Sequence, residues 1–332
     1  MFDTMNRRNF ILGASGTLLT MAAGNSGNAE TVKTGQKMKS RVALVKGQPR
    51  SDAIGRAIDM LGINPVTGRK VLIKPNFNTA DPFPASTHND TLVLLIEKLR
   101  SMGAVDLTIG ERCGPSETAQ VLRDKGVDII CKEYDVPLVN FEELPANKWH
   151  RVKPDHSHWH NGFDVAQPVL DAECVVSTCC LKTHGYGGVF TMSLKLSVGI
   201  THKRNMGELH GSTRDMRKMI AEINQVYEPS LILMDGMEVF TDGGPMHGKL
   251  ERADVIIAGA DRIAVDAVGL AVLKELGANR QIMGTNIFAQ EQIVRAVELG
   301  LGVSRPQDIE LLTDDSRSSD YAGRLRDILL QG

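Results

Sequence analysis

The chain has 332 residues, 42% of them hydrophobic and 23% charged, and its 38 basic and 40 acidic side chains leave a formal charge of −2. That mixture belongs to a globular protein with a sizeable core and excludes a wholly disordered chain, a collagen repeat and a small disulfide scaffold. Near-neutral charge and only 5% aromatic residues argue against a nucleic-acid partner, which needs a basic footprint and stacking platforms.

The chain starts with Arg7-Arg8-Asn9-Phe10-Ile11-Leu12, followed by an apolar stretch through about Ala23 and a polar, small-residue run from Gly24 to Ala29. Basic end, apolar middle and small-residue region make the layout of an export signal. The arginine pair and weak hydrophobicity resemble a twin-arginine leader. The expectation is a signal over 1–29, with the twin-arginine machinery as partner and a periplasmic or otherwise exported location. Cleavage near Ala29 and retention as an N-terminal membrane anchor both stay open, as do Met1 and Met5 as the start. No later segment has 18 uncharged apolar residues, so no multi-span membrane insertion is expected.

Residues 30–40 read as a linker and 41–332 as a single elaborated α/β domain. Val42-Ala43-Leu44-Val45 suits a buried strand, and Ser51 or Asp52 can cap a helix running toward Leu61. Val71-Leu72-Ile73 suits a second strand, stopped by Pro75. Leu92, Leu95, Ile96 and Leu99 have helical spacing within 87–102, and a third strand runs from Val105 to Ile109. A helix entered at Pro115 ends at Gly126, and the apolar run Val127–Ile130 continues the strand–helix alternation. Residues near 134–168, rich in Pro, His, Trp and Asn, read as an irregular insertion or small hairpin region. Cys174–Ser177, Leu231–Met234 and Val255–Ala258 suit further strands, and 214–226, 261–276 and 290–299 suit helices. The fold class is α/β, with a mostly parallel central sheet flanked by helices.

Open sheets of this kind bind ligands at the carboxyl ends of their strands. Polar residues gather there: Lys74-Pro75-Asn76 after the second strand, Gly110-Glu111 after the third, and Ser177 through Gly185 after the fourth. The last of these is the strongest signal. Lys182 offers a charge for an oxyanion, and His184 can move a proton or bind a metal. Lys195, His202, Lys203, Arg204 and His210 follow. So many cations in one stretch call for solvent or an anionic partner, and a small anionic ligand or substrate is the economical choice. Lys182, His184 and Lys195 are therefore the catalytic candidates. Lys74, Asn76, Gly244 and Gly248 are the candidates for holding a cofactor, the two glycines through backbone amides of the loop Gly243–Gly248. That loop is neither a Walker loop nor a dinucleotide fingerprint. Glu111, His202, His210, Asp235 and Asp266 are the candidate ligands of a divalent metal ion, with Asp261 read as a helix cap. His156, His158 and His160 would share one face if the segment were a strand.

Taken together, Lys74-Pro75-Asn76, Gly110-Glu111, Leu181-Lys182-Thr183-His184, Ser193-Leu194-Lys195, His210, Asp235-Gly236, Gly244-Pro245-Met246-His247-Gly248 and Asp261 through Asp266 resemble the family known as domain of unknown function 362. The resemblance covers most of 41–275. It implies an α/β domain, in some members joined to ferredoxin-type iron–sulfur segments, and no settled reaction. The chain has no C-x-x-C-x-x-C run, so a ferredoxin-type cluster is not expected. The adjacent Cys179 and Cys180 leave a vicinal disulfide, a soft-metal site or two buried thiols open, the last being the simplest. Three functions fit these residues. One is an exported enzyme acting on a small anion, with or without a metal. Another is a non-catalytic protein binding an anion, metal or cofactor. The third is metal-centred electron transfer.

Overall fold

The computed structural model describes residues 39–332, so the leader at 1–29 lies outside the described residues. In chain order the strands are β1 (Ser40–Lys46), β2 (Lys70–Lys74), β3 (Asp106–Glu111), β4 (Leu138–Asn140), β5 (Trp149–Val152), β6 (Phe163–Ala166), β7 (Cys174–His184), β8 (Val189–Thr191), β9 (Pro229–Gly243), β10 (Gly248–Gly259) and β11 (Ile309–Leu312). Nine of them form one sheet in the order β11-β1-β10-β9-β7-β2-β3-β4, with β8 attached to β7. The pairs β11/β1, β9/β7, β7/β2, β2/β3 and β3/β4 are parallel. The pairs β1/β10, β10/β9 and β7/β8 are antiparallel. The sheet is mostly parallel and flanked by helices, as the alternating pattern implies.

Both faces of the sheet are covered, which explains the near-continuous apolar runs in its central strands. On one face, Val45, Ile73 and Val176 pack with Ile54 and Ile58 of helix Arg50–Met60 and Leu92, Leu95 and Leu99 of helix Asn89–Ser101. On the other, Leu44, Leu181, Met234 and Ile257 meet helix Arg262–Glu275 and residues Tyr321, Leu325 and Leu329 of helix Ser316–Gln331. Helix Arg262–Glu275 is apolar nearly all round, as expected of a helix buried between a sheet and further helices. Asp261 caps it by accepting from the N–H groups of Ile263 and Ala264 at 2.8 and 2.9 Å.

Two expectations need correction. The run Val127–Ile130 is not a strand: Val127–Glu133 is a helix entered from Gly126 in the left-handed conformation, at φ 66°. Four apolar residues cannot distinguish a buried strand from one face of a short helix. The second concerns β7, which does not stop at Ser177. It runs eleven residues to His184 and is buried throughout. The polar segment expected after the end of the strand is itself central strand.

The insertion near 134–168 contains β4 on the sheet edge and the separate β5–β6 hairpin. Trp159 and Phe163 pack there with Met219, Ile220 and Ile223 of helix Met216–Ile223. His156, His158 and His160 lie in the connection between β5 and β6 and share no strand face. His158 Nδ1 instead meets Glu222 Oε1 at 2.6 Å.

Candidate functional site

The chain crosses from β2 to β3 and β4 on one side, then returns to place β7 on the other side of β2. This reversal opens a crevice at the carboxyl ends of β2 and β7, the place where a sheet of this kind binds its ligand. Lys74 ends β2, Glu111 ends β3 and His184 ends β7. A cavity of about 420 Å³ lies there, lined among others by Lys74, Asn76, Glu111, Arg112, Lys182, His184, Thr191 and Lys195.

The three lysines differ in their partners. Lys74 is buried and its Nζ donates to Glu111 Oε1 and to the Pro75 carbonyl. Glu111 also accepts from the N–H groups of Phe77 at 2.8 Å and Arg112 at 2.9 Å. Lys74 and Glu111 thus form a closed structural pair between strand ends. Gly199 covers it: a Cβ there would stand 2.7 Å from Lys74 Nζ and 2.9 Å from Glu111 Oε1, so only glycine fits without displacement. Arg112 is likewise spent on the frame, donating to the carbonyls of Thr201 and Cys113 at 2.8 Å each and to that of Val198.

Among the described residues Lys182 has no carboxylate partner. It is fully buried on β7, and its Nζ donates to the Ala85 carbonyl of the loop that follows β2. Burial lowers its pKa from 10.5 to about 8. Lys195 sits in the short helix Ser193–Leu196, half-buried, with neither hydrogen bond nor ion pair from its Nζ among the described residues. Burial, followed by the charges of Lys182 and Arg112, brings its pKa down to about 8 as well.

His184 lies between these cations. Burial, then Lys195 and Lys182, lowers its pKa from 6.5 to about 2, so the imidazole is neutral. Its Nδ1 accepts from the Gly188 N–H at 3.3 Å, which places the ring proton on Nε2. A Cβ on Gly188 would meet His184 Nδ1 at 2.8 Å and Lys195 Cε at 3.0 Å. Histidine and lysine therefore converge on one glycine. Two lining side chains carry buried oxygens with no partner among the described residues, Asn76 Oδ1 and Thr191 Oγ1. Such groups are costly in a folded protein and mark where a ligand would supply hydrogen bonds.

Of the expected site residues, the fold brings Lys74, Asn76, Glu111, Lys182, His184, Lys195 and His210 to this cavity. His210 stands at its exposed edge with Nδ1 2.8 Å from the Met206 carbonyl. Gly244 and Gly248 do not act as an amide cradle. The Gly244 N–H donates to the His247 carbonyl at 2.7 Å, and Gly248 pairs with Gly243 across the β9–β10 hairpin. Their neighbours Pro245 and Met246 line the cavity instead.

The five expected metal ligands do not converge either. Among the described residues no three His, Cys, Asp or Glu side chains are grouped to hold a metal. Each of these groups is engaged elsewhere. Glu111 pairs with Lys74, while Asp235 accepts from Arg50 Nε at 2.8 Å and Thr91 Oγ1 at 2.5 Å. His202 caps a turn by accepting from the Arg204 N–H at 3.0 Å and packs edge-on to Trp149. Asp266 accepts from the N–H groups of Ser193 and Leu194 at 2.7 and 2.9 Å. Fully buried, it is raised to about pKa 7, and it fixes the segment that carries Lys195. All five cysteines are buried free thiols, so no vicinal disulfide joins Cys179 to Cys180.

A family model described as a domain of unknown function (DUF362) matches residues 71–271. The chain belongs to the DUF362 family. The matched segment runs from β2 into helix Arg262–Glu275, and so contains Lys74, Glu111, Lys182, His184, Lys195 and Asp266. A thylakoid-associated protein, sll1697, of Synechocystis sp. is 24% identical over 250 residues, 73% of this chain and 74% of that protein. The solved structure of the lactate racemase apoprotein from Thermoanaerobacterium thermosaccharolyticum aligns over 87% of this chain and 86% of that one, with a TM-score of 0.41 and 12% identity. That similarity is too distant to bear on chemistry. Among the described residues no helix is long and apolar enough to cross a membrane.

Proposed function

We propose that this DUF362 protein is an enzyme whose cavity at the ends of β2 and β7 binds a small anionic substrate. The supporting observation is that Lys182 and Lys195 face one cavity and, among the described residues, neither is paired with a carboxylate, the Glu111 in its lining being taken by Lys74. Buried cations normally carry a partner, and a ligand anion would supply it. A substrate that also donates a hydrogen bond would satisfy Asn76 Oδ1. The neutral His184, with its proton on Nε2, is suited to donating a hydrogen bond to charge that develops on a substrate held by two lysines. A cavity of about 420 Å³ suits a small molecule.

The test is turnover across a panel of small carboxylates and phosphates by wild type and His184→Leu. The expected result is a fall of about 10²–10³-fold in kcat with KM changed much less, the usual scale for loss of a hydrogen-bond donor to developing charge. Equal turnover in both proteins would remove His184 from the chemistry. Stoichiometric binding without turnover by wild type would favour the non-catalytic binding protein.

Export through the twin-arginine route is proposed on the Arg7-Arg8 leader alone. Fractionation of cells expressing the full chain should find it outside the cytoplasm, and Arg7→Lys with Arg8→Lys should hold it inside. Cytoplasmic wild type would contradict the assignment.

A further inference from the structure

We propose that Lys195 is a nucleophile that condenses with the carbonyl carbon of a small 2-oxo carboxylate whose carboxylate is held by Lys182. The inference rests on the anion-site reading above and adds a covalent step to it.

Three observations carry it. The first is the contrast in partners. Lys74 has Glu111 and Lys182 has the Ala85 carbonyl, whereas Lys195 Nζ has no acceptor among the described residues. An ammonium without an acceptor in a half-dry cavity is disfavoured, and the neutral amine that replaces it is the nucleophilic form. The second is the neighbourhood. Lys195 shares the cavity with a second lysine that has no carboxylate, and a nearby cation further favours the uncharged amine. Lys182 keeps an acceptor for its protons and so is the better lysine to stay charged and hold a carboxylate. The third is His184, which flanks the same glycine, Gly188, as the Lys195 side chain and keeps its Nε2–H free of the Gly188 bond.

The chemistry balances within these groups and solvent water. The Nζ lone pair of Lys195 attacks the carbonyl carbon, forming a C–N bond as the C=O π pair moves onto oxygen. One proton passes from nitrogen to that oxygen, giving a carbinolamine. The hydroxyl then leaves as water, with the proton it takes up carried by solvent and His184 Nε2–H available to hydrogen-bond the departing oxygen. The nitrogen releases its proton to solvent as the C=N bond forms. Amine and ketone become imine and water, and no oxidant or reductant is required.

The test uses the full chain with pyruvate and sodium cyanoborohydride near pH 8, read by intact mass and peptide mapping, with pyruvate and malonate binding measured by calorimetry. The expected result is one reduced pyruvate adduct per chain on Lys195. It should be absent in Lys195→Arg and formed at least 10-fold more slowly in Lys182→Met. Because the adduct is mapped on wild type, a poorly folding variant does not blunt the test. Pyruvate binding without a Lys195 adduct overturns the imine and leaves the anion site standing, as does malonate binding without pyruvate binding. A dianion held by two protonated lysines would give that last pattern. Failure of both ligands to bind overturns the anion site and the imine together.

Discussion

Lys74→Met is expected to lower the folding free energy by about 3–5 kcal/mol, the usual cost of removing one partner from a buried ion pair. The methionine fills much of the same space, so the loss is electrostatic. It leaves the Glu111 carboxylate buried with two backbone N–H groups and no cation. In a domain of this size the melting temperature should fall by on the order of 10 °C. The double substitution Lys74→Met with Glu111→Gln should recover a substantial part of the loss, because the amide carries no unmatched charge. Thermal melts of wild type, the single and the double variant test this. A single variant as stable as wild type would show that Lys74 and Glu111 are not the closed pair described.

Stability should also rise between about pH 8 and pH 9, below the range where the buried thiols Cys113, Cys131, Cys179 and Cys180, whose pKa values burial raises, begin to act in the opposite direction. The sign follows from the two lysines. In the unfolded chain a lysine keeps its proton to about 10.5, whereas in the fold Lys182 and Lys195 lose theirs near 8. Between those values the unfolded state binds more protons, so raising the pH favours the folded state. For Lys182, fully buried, the gain is on the order of 1 kcal/mol between about pH 8 and pH 9. Asp266 acts in a separate window. Its carboxyl is raised from 3.8 to about 7, so the folded state binds the extra proton there and stability falls as pH rises from about 4 to 7. The melting temperature should therefore pass through a minimum between neutrality and pH 8. Lys182→Met should lose much of the alkaline rise. A Lys182→Met melting temperature that follows the same course as wild type between about pH 7 and pH 9 would contradict the assignment of this lysine.

Much of the scaffold can be read from local patterns. Val42–Val45 and Val71–Ile73 are strands in the fold, and 261–276 is a helix with Asp261 as its cap, because apolar period and capping chemistry act within a few residues. The strand β11 and the helix Ser316–Gln331 went unread. The misread half of β7 is more instructive. Ser177 through His184 looks like the end of a strand because its residues turn polar, yet all of them are buried. Polar groups in a central strand break the local rule where a site is built, and the break itself was the signal that located the cavity. Arg112, beside Glu111, gave a comparable signal that passed unused.

The metal set fails for a different reason. Asp235 is matched by Arg50 and Thr91, which stand 185 and 144 residues away in the chain. Asp266 is matched by amides 73 and 72 residues away. A carboxylate's partner across such separations is set by strand order, which spacing does not encode. Lys182 and Lys195 were legible as cations, but their lack of carboxylate partners appears only in three dimensions. That lack turns a basic stretch into a candidate anion site.

The most direct test of that site is calorimetric titration of the full chain with small mono- and dicarboxylates, on wild type and Lys182→Met, at pH 7 and pH 10. The account predicts one site per chain at pH 7. Affinity should be at least 10-fold weaker in Lys182→Met, the scale of losing a buried charge-assisted hydrogen bond, and largely lost in wild type at pH 10 as both lysines give up their protons. Binding that is unaffected by Lys182→Met and equally tight at both pH values would contradict it.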